Sequence, residues 1–237
     1  MNWKKTNNRF IAYFDIMGFK NRVQQSTHGE TLALMEKFAS YVKSMDSSKF
    51  ENIKTDTTIR TTIFSDSIII ISNSNSIHTA ANIMLHSAFL IRHALELGIP
   101  IRGCLSYGKF TADFEKSVFF GQPLIDSYLL EEELQMYSVV LHHSFESFID
   151  GKKYGGKIFP ENGRIVKYLT VFKNGKSSHY HLNWPKYLSK FADGKEDVKY
   201  RAHISFFYKT ISGPTRAFVD NTIAFYDDCL RESQNKL

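Results

Sequence analysis

The chain has 237 residues, of which 43% are hydrophobic and 14% aromatic, and it carries a formal net charge of +6. This composition suits a single domain over residues 1–237 with one sizeable core, and no repeat or low-complexity stretch is visible. The positive charge could steer an anionic nucleotide or could simply be a solvated basic face. Without a run of arginine and lysine residues, no nucleic-acid partner is expected.

Targeting and redox features predict a cytoplasmic protein. The polar start over residues 1–5 leads into a predicted strand within about ten residues, so no signal peptide is expected. Polar residues interrupt the apolar stretch over 88–97, so no membrane span is expected. Cys104 and Cys229 lie far apart and form no metal-binding pair, which fits a reducing compartment.

Hydrophobic periodicity predicts alternating strands and helices. In chain order we predict a strand over 9–15, a helix over 29–46, a loop over 47–56, two strands within 58–72, a helix over 77–97, a strand over 99–110, a short strand over 118–120, a helix over 121–135, a strand over 138–141, a short helix over 142–150, two strands within 164–184 and a closing helix over 214–231. The first helix is expected to bury Leu32, Met35, Phe38 and Val42, which recur at helical spacing.

The order of these elements predicts an α+β fold. A hairpin between helices matches a ferredoxin-like βαββαβ core with extensions rather than a doubly wound sheet. The core is expected over about residues 8–145, and residues 146–237 are expected to extend it with strands and a helix.

Two aspartates stand at the ends of predicted strands. Asp15 closes the apolar run over 9–14, and Asp66 lies at the bend of the hairpin within 58–72. Because the first strand lies beside this hairpin in a ferredoxin-like core, we expect the two carboxylates to be neighbours. Like charges this close repel each other unless a cation lies between them.

The aspartate pair therefore predicts a divalent cation and phosphate chemistry. Mg²⁺ prefers carboxylate, carbonyl and phosphate oxygens, and the carbonyl of Ile16 is the natural third protein ligand. Gly18 permits a tight turn towards a helix, so the N–H groups of the turn over 16–19 could hold phosphate oxygens. Alternatively, Asp15 is a helix N-cap and Asp66 an ordinary turn residue.

Four segments, in order, resemble motifs of class III nucleotidyl cyclases. They are 13–19 (YFDIMGF), similar to F-x-D-I-x-G-F; 64–67 (FSDS), similar to the hairpin with the second metal aspartate; 99–108 (IPIRGCLSYG), similar to the following strand; and 120–131 (FGQPLIDSYLLE), similar to the next helix. The resemblance covers about residues 8–145. It implies a class III cyclase-like fold in which Asp15 and Asp66 are catalytic and, with Ile16, hold two Mg²⁺ or Mn²⁺ ions per site.

The departures from this pattern concern the substrate. Class III cyclases place an asparagine and an arginine on the helix that corresponds to the fourth segment, 120–131. Here Ile125 and Leu129 occupy the aligned positions. The position that selects the purine base is Thr62 rather than lysine or glutamate. The chain is more similar to the pyrimidine cyclases of Pycsar antiphage defence, which make cyclic UMP or cyclic CMP to activate a separate effector protein.

The resemblance implies a reaction in which the ribose 3′-hydroxyl of a nucleoside triphosphate attacks the α-phosphorus and pyrophosphate leaves. One ion would promote formation of the 3′-oxyanion, and the second would hold the β- and γ-phosphates. UTP is expected as substrate over CTP. The family also implies a homodimer whose two active sites lie between the protomers.

Further nucleotide contacts are expected around the aspartates. The candidates are Met17, Gly18 and Phe19 of the phosphate turn, Thr62 and Ser65 of the hairpin, and the strand cations Arg60, Arg102 and Lys109. Each strand cation could instead be a surface charge or an interface ion pair. The acidic run over 131–133 is expected on the surface of its helix.

Three alternative functions remain open at this point. A purine cyclase could draw its missing contacts from elsewhere in the chain. A catalytically inactive cyclase-homology domain could bind nucleotide or a protein partner; the absent asparagine and arginine favour this, whereas the retained aspartates oppose it. A polymerase-like palm shares the two-aspartate layout, but the small size of the chain argues against it.

Overall fold

The computed structural model describes residues 3–46, 58–189 and 196–234. The predicted loop over 47–56 lies outside these residues.

The first part of the chain forms the predicted alternation of strands and helices. Its elements are β1 (Thr6–Ile16), α1 (Phe19–Gln25), α2 (His28–Asp46), β2 (Ile59–Phe64), β3 (Ser67–Ser72), α3 (Ile77–Glu96), β4 (Ile101–Asp113), β5 (Val118–Gly121), α4 (Gln122–Glu133), β6 (Val139–Leu141) and α5 (His143–Ile149). The short helix α1 was not predicted.

The later part extends this core. Its elements are β7 (Lys153–Tyr154), β8 (Lys157–Ile158), β9 (Ile165–Phe172), β10 (Gly175–Leu182), α6 (Trp184–Ser189), α7 (Glu196–Phe206) and α8 (Arg216–Gln234). The β9–β10 hairpin and α8 were predicted, whereas β7, β8, α6 and α7 were not. No helix within the described ranges is both long enough and apolar enough to cross a membrane.

The main sheet has the strand order β2-β3-β1-β4-β6-β10-β9, with β5 paired to β4. Strand β1 lies antiparallel between β3 and β4, and β6 runs parallel to β4. The order of the first four strands is that of a ferredoxin-like core, so the predicted α+β fold is confirmed. Strands β9 and β10 continue the same sheet through the pairing of β10 with β6.

The two faces of β1 serve different purposes. Phe10, Phe14 and their alternate neighbours are fully buried in the main core, which α2 and α3 also line. The opposite face carries Tyr13 and Asp15 and is partly covered by α4, whose Tyr128 ring meets the Tyr13 ring edge-on at 5.8 Å. The period-2 alternation of strand side chains thus places Asp15 on the α4 side of the sheet.

Helix α2 corrects one packing expectation. Phe38 and Val42 are buried as predicted, but Leu32 is 48% exposed. Phe38 and Leu32 are six residues apart, which turns the helix by about 600°, about 120° short of two full turns, so Leu32 lies off the stripe that buries Phe38 and Val42.

Candidate active site

Strand pairing brings Asp15 and Asp66 to one end of the sheet. Asp15 of β1 lies directly opposite Ser67 of β3, and the amide of Ile16 donates a 2.9 Å hydrogen bond to the Asp66 carbonyl. The two acidic residues therefore occupy adjoining positions, as the topology predicts.

Local backbone geometry presents both residues at this end. Phe64 pairs with Ser67, so Ser65 and Asp66 form a two-residue turn, and Ser65 has a positive φ of 56°. After β1, Gly18 takes a φ of 70° and caps α1. Glycine adopts this left-handed conformation without a Cβ clash, which lets the chain turn into α1 directly after β1.

The electrostatics of this pair favour a cation. Partial burial raises the pKa of Asp15, the neighbouring Asp66 charge raises it further, and Arg102 opposes the rise. Ionising a half-buried carboxylate beside a second carboxylate is costly. A cation bound between the two offsets this cost by neutralising their charge.

The donor atoms here suit Mg²⁺ or Mn²⁺. Because the N–H and C=O of a strand residue project to the same side, the Ile16 carbonyl is directed towards the hairpin that its amide contacts. Two carboxylates and one carbonyl give the hard oxygen ligands that Mg²⁺ prefers, with phosphate and water completing its shell. Within the described residues, no group of three or more His, Cys, Asp or Glu side chains could hold a metal ion.

Two of the four amides in the turn over 16–19 already donate hydrogen bonds to backbone carbonyls. The amides of Ile16 and Met17 donate to the carbonyls of Asp66 and Pro100, at 2.9 and 2.8 Å. The amides of Gly18 and Phe19 stand at the start of α1, where a helix has no internal acceptor for them. Phosphate oxygens could therefore be held by Gly18 and Phe19 rather than by the whole turn.

Two hairpin candidates lie near the aspartates. Thr62 pairs with Ile69, which in turn pairs with Tyr13 of β1, so Thr62 shares the face of Asp15. Ser65 is exposed in the turn directly before Asp66.

Arg102 lies next to Asp15 but is bound elsewhere. The two residues are direct cross-strand partners on β1 and β4. The guanidinium forms an ion pair with Glu131 of α4, and its Nη1 donates a 2.6 Å hydrogen bond to the Leu134 carbonyl. Only 9% of the Arg102 side chain is exposed.

The other two strand cations are not brought to the aspartates. The Arg60 guanidinium lies over the rings of Trp3 and Phe114, at 5.0 and 4.9 Å from their centroids. Lys109 is seven residues along β4 from Arg102, which is about 23 Å at the rise of a strand.

Three residues at the site were not predicted from the sequence. The hydroxyls of Tyr13 and Ser67 lie 2.8 Å apart beside Asp15, and burial raises the pKa of Tyr13 to about 12. Glu131, expected on the helix surface, is instead buried at 1% exposure. The signal was the four-residue spacing of Pro123, Ser127 and Glu131, which are the buried residues of α4.

Helix α4 buries polar side chains and exposes apolar ones, the reverse of an ordinary surface helix. Its buried stripe includes Ser127 and Glu131, whereas Ile125, Tyr128 and Leu129 are 52%, 46% and 55% exposed. Apolar side chains at i, i+3 and i+4 on the solvent side form a contiguous patch, a feature typical of interaction surfaces.

Comparisons with known proteins place the chain by its fold. No family model matches it, and no curated protein sequence matches it. The solved catalytic core of a rhodopsin-guanylyl cyclase with converted specificity, in complex with ATPαS, is similar with a TM-score of 0.56 and 12% identity, over 76% of this chain and 98% of that chain. The adenylyl cyclase CyaB from P. aeruginosa is similar with a TM-score of 0.53 and 12% identity, over 76% and 96%.

A third structure extends over nearly the whole chain. A class III adenylyl cyclase-like ATP-binding protein from Pseudomonas aeruginosa matches with a TM-score of 0.50 and 11% identity, over 96% of this chain and 44% of that chain. At these identities the likeness concerns the fold. The protein has the α+β fold of class III cyclase catalytic domains.

Proposed function

We propose that the protein is a metal-dependent nucleotidyl cyclase that converts a nucleoside triphosphate to its 3′,5′-cyclic monophosphate and pyrophosphate. The observation that carries the proposal is the meeting of Asp15 and Asp66 at the β1 end and the β2–β3 turn, within a cyclase-type fold. In the reaction the ribose 3′-oxygen bonds to the α-phosphorus, the bond to the β-phosphate oxygen breaks, and the hydroxyl proton passes to water.

The roles of the residues follow from their positions. Asp15, Asp66 and the Ile16 carbonyl would hold two Mg²⁺ or Mn²⁺ ions, which stabilise the 3′-oxyanion and the phosphate charges when bound. Gly18 and Phe19 would donate amide hydrogens to phosphate oxygens. Aligning the reacting atoms and offsetting their charge supplies the rate enhancement.

For the substrate we propose a pyrimidine nucleotide, with UTP preferred over CTP. Support comes from Thr62, a half-buried hydroxyl on the Asp15 face at the base-selecting position. The nearby Arg60 is held by two aromatic rings, so no charged side chain from β2 is offered to the base at this position. The resemblance to Pycsar cyclases extends this proposal to an antiphage signal read by a separate effector.

We further propose a homodimer with sites between protomers. The exposed apolar patch of Ile125, Tyr128 and Leu129 supports it, because a partner covering this surface would explain why these side chains are left about half exposed in one chain. Phe64, at the turn that carries Asp66, is 81% exposed and would extend the same contact.

A nucleotide-binding domain without catalysis is the second candidate. It is favoured by the apolar side chains of Ile125 and Leu129 where related cyclases carry transition-state contacts. One structural neighbour is itself described as an ATP-binding protein of cyclase type.

The deciding experiment offers ATP, GTP, CTP and UTP separately to the purified chain with Mn²⁺ or Mg²⁺. We expect cyclic UMP as the main product, with release of pyrophosphate. Asp15→Asn and Asp66→Asn should each lower the rate at least a hundredfold, and Asp150→Asn, an exposed change on α5's C-terminal side, should leave it unchanged. Nucleotide binding without any cyclic product would favour the second candidate, and a cyclic purine product would exclude the pyrimidine assignment.

A further inference from the structure

Arg102 stands between two acidic partners. On β4 it is the direct cross-strand neighbour of Asp15, and such pairs bring their Cα atoms to within about 5.5 Å. On the other side, α4 presents Glu131, whose carboxylate forms the ion pair with Arg102. An arginine side chain at this position is long enough to reach either carboxylate.

The structure holds the arginine against α4. Besides the ion pair, Nη1 donates to the Leu134 carbonyl at 2.6 Å, and the guanidinium lies 5.8 Å from the Phe218 ring centroid. The Glu131 side chain is 2% exposed and that of Arg102 is 9% exposed. Removing one partner of a buried pair is costly, because it leaves the other charge desolvated and unpaired.

We propose that Glu131 is a positioning residue of the cation site: it holds the Arg102 guanidinium on α4 and thereby keeps the Asp15 carboxylate available to a divalent cation. Without the Glu131 charge, Asp15 becomes the nearest carboxylate to a buried guanidinium. Arginine pairs readily with carboxylates in a forked geometry, so Arg102 would then neutralise Asp15 and compete with the cation.

This inference changes the expected role of Arg102. The sequence predicts it as a nucleotide contact, but its Nε is directed to Glu131 and its Nη1 to the Leu134 carbonyl. The inference rests on the part of the proposed function in which Asp15 and Asp66 hold a cation. It does not require that the bound nucleotide be cyclised.

The test measures Mn²⁺ binding to the full chain by electron paramagnetic resonance at pH 8, without nucleotide. Glu131→Gln should weaken Mn²⁺ binding roughly tenfold, the size expected for one uncompensated charge near a divalent ion in a half-buried site. Removing the arginine as well, in Arg102→Met with Glu131→Gln, should restore the affinity to within about threefold of wild type.

The matched control is Glu132→Gln. It removes the same charge from the next residue of α4, but the Glu132 side chain is 46% exposed and pairs with Lys173. Its Mn²⁺ affinity should stay within about twofold of wild type, since exposed charges are screened by solvent.

The rescue separates positioning from a structural role. If Glu131 only supports the fold, the double variant should bind Mn²⁺ no better than Glu131→Gln, and that result would overturn the inference, as would wild-type affinity in Glu131→Gln. Because that variant can fail to fold, Glu131→Asp provides a second measurement. It keeps the charge but shortens the reach by one methylene, and it should weaken Mn²⁺ binding about threefold; unchanged binding contradicts the inference.

The proposed function and this inference fail in different ways. Wild-type protein that binds no Mn²⁺ through Asp15 overturns both. If the protein binds Mn²⁺ and shows the Glu131 effect but forms no cyclic nucleotide, the positioning role of Glu131 stands. Only the proposed cyclase activity is then excluded.

Discussion

The amide of Ile16 donates to the Asp66 carbonyl at 2.9 Å, and this contact between β1 and the β2–β3 turn sets two acidic residues side by side. Each lies next to a backbone reversal, at Gly18 and at Ser65, where the φ angles are positive. The repulsion between two neighbouring carboxylates and two residues with positive φ therefore occur at the same end of the sheet. Unfavourable electrostatics and backbone strain often occur together at functional sites.

Replacing Asp15 should stabilise the metal-free protein. The pKa of Asp15 is raised in the fold, chiefly by burial, so at neutral pH its charged form is less favourable in the folded chain than in the unfolded one. In EDTA at pH 7.5, Asp15→Asn should raise the thermal midpoint by about 1–3 °C. The gain should shrink as the pH falls through the raised pKa, because Asp15 then becomes neutral in the wild type.

Calorimetry with and without Mn²⁺ checks this prediction. Mn²⁺ should raise the midpoint of the wild type and not that of Asp15→Asn, since a ligand stabilises only a fold that binds it. A lower midpoint for Asp15→Asn in EDTA would show that the carboxylate has a supporting role in the fold instead.

Gly103 should tolerate no side chain. A Cβ there would lie 2.5 Å from Cδ1 of Phe14 and 2.7 Å from the Tyr13 carbonyl oxygen. Gly103→Ala should lower the free energy of unfolding by about 1–3 kcal/mol, because neither the strand backbone nor the core ring can move freely. Urea denaturation measures the change.

Gly29 offers the matched control. It lies in the first turn of α2, and a Cβ there meets nothing within 4 Å. Gly29→Ala should be neutral or stabilising by up to about 1 kcal/mol. Equal losses in the two variants would mean that the β1–β4 contact is looser than its geometry indicates.

The sequence alone predicted the elements in which one hydrophobic periodicity, that of a helix or that of a strand, dominates. Helix α3 was predicted because apolar residues recur along it at helical spacing; the structure adds that the Ser76 side chain caps its start by accepting from the Thr79 amide. The β2–β3 hairpin was predicted because the polar turn interrupts a continuous β-rich run. The meeting of Asp15 and Asp66 then followed from topology alone.

Tertiary contacts decided what the sequence did not. The four-residue spacing of Pro123, Ser127 and Glu131 is a local sign that Glu131 is buried, but its partner Arg102 lies 29 positions earlier on the strand beneath α4, and no local pattern records that pairing. The sequence placed Ile125 and Leu129 on this helix without saying which way they face; in the structure they are exposed, whereas Ser127 is buried. The two-residue strands β7 and β8 are too short to show a period.

The proposed dimer predicts a sensitive position on α4. Leu129→Glu should convert a dimer to monomers in sedimentation velocity and lower cyclase activity at least tenfold, because a charge would be placed in an apolar contact. Leu169→Glu is the matched control, since Leu169 on the edge strand β9 is equally exposed, at 56% against 55%. A Leu129→Glu protein that remains dimeric would place the interface elsewhere.

His181 should make the fold sensitive to mild acid. The ring is fully buried, with Nδ1 3.0 Å from the Ser138 hydroxyl and Nε2 2.7 Å from the Thr170 hydroxyl, and burial lowers its pKa to about 3. In the unfolded chain a histidine takes up a proton near pH 6.5, whereas the folded ring stays neutral until about pH 3. The unfolded state therefore binds more protons over this range, and stability falls as the pH is lowered.

Between pH 6.5 and 5, His181 should contribute a slope of up to about 1.4 kcal/mol per pH unit to the free energy of unfolding. Urea denaturation at several pH values measures this slope. His181→Gln should lower the slope by nearly the contribution of one proton, about 1.4 kcal/mol per pH unit, even if the variant is less stable overall. An identical slope in wild type and His181→Gln would mean that water reaches and charges the ring within the folded protein.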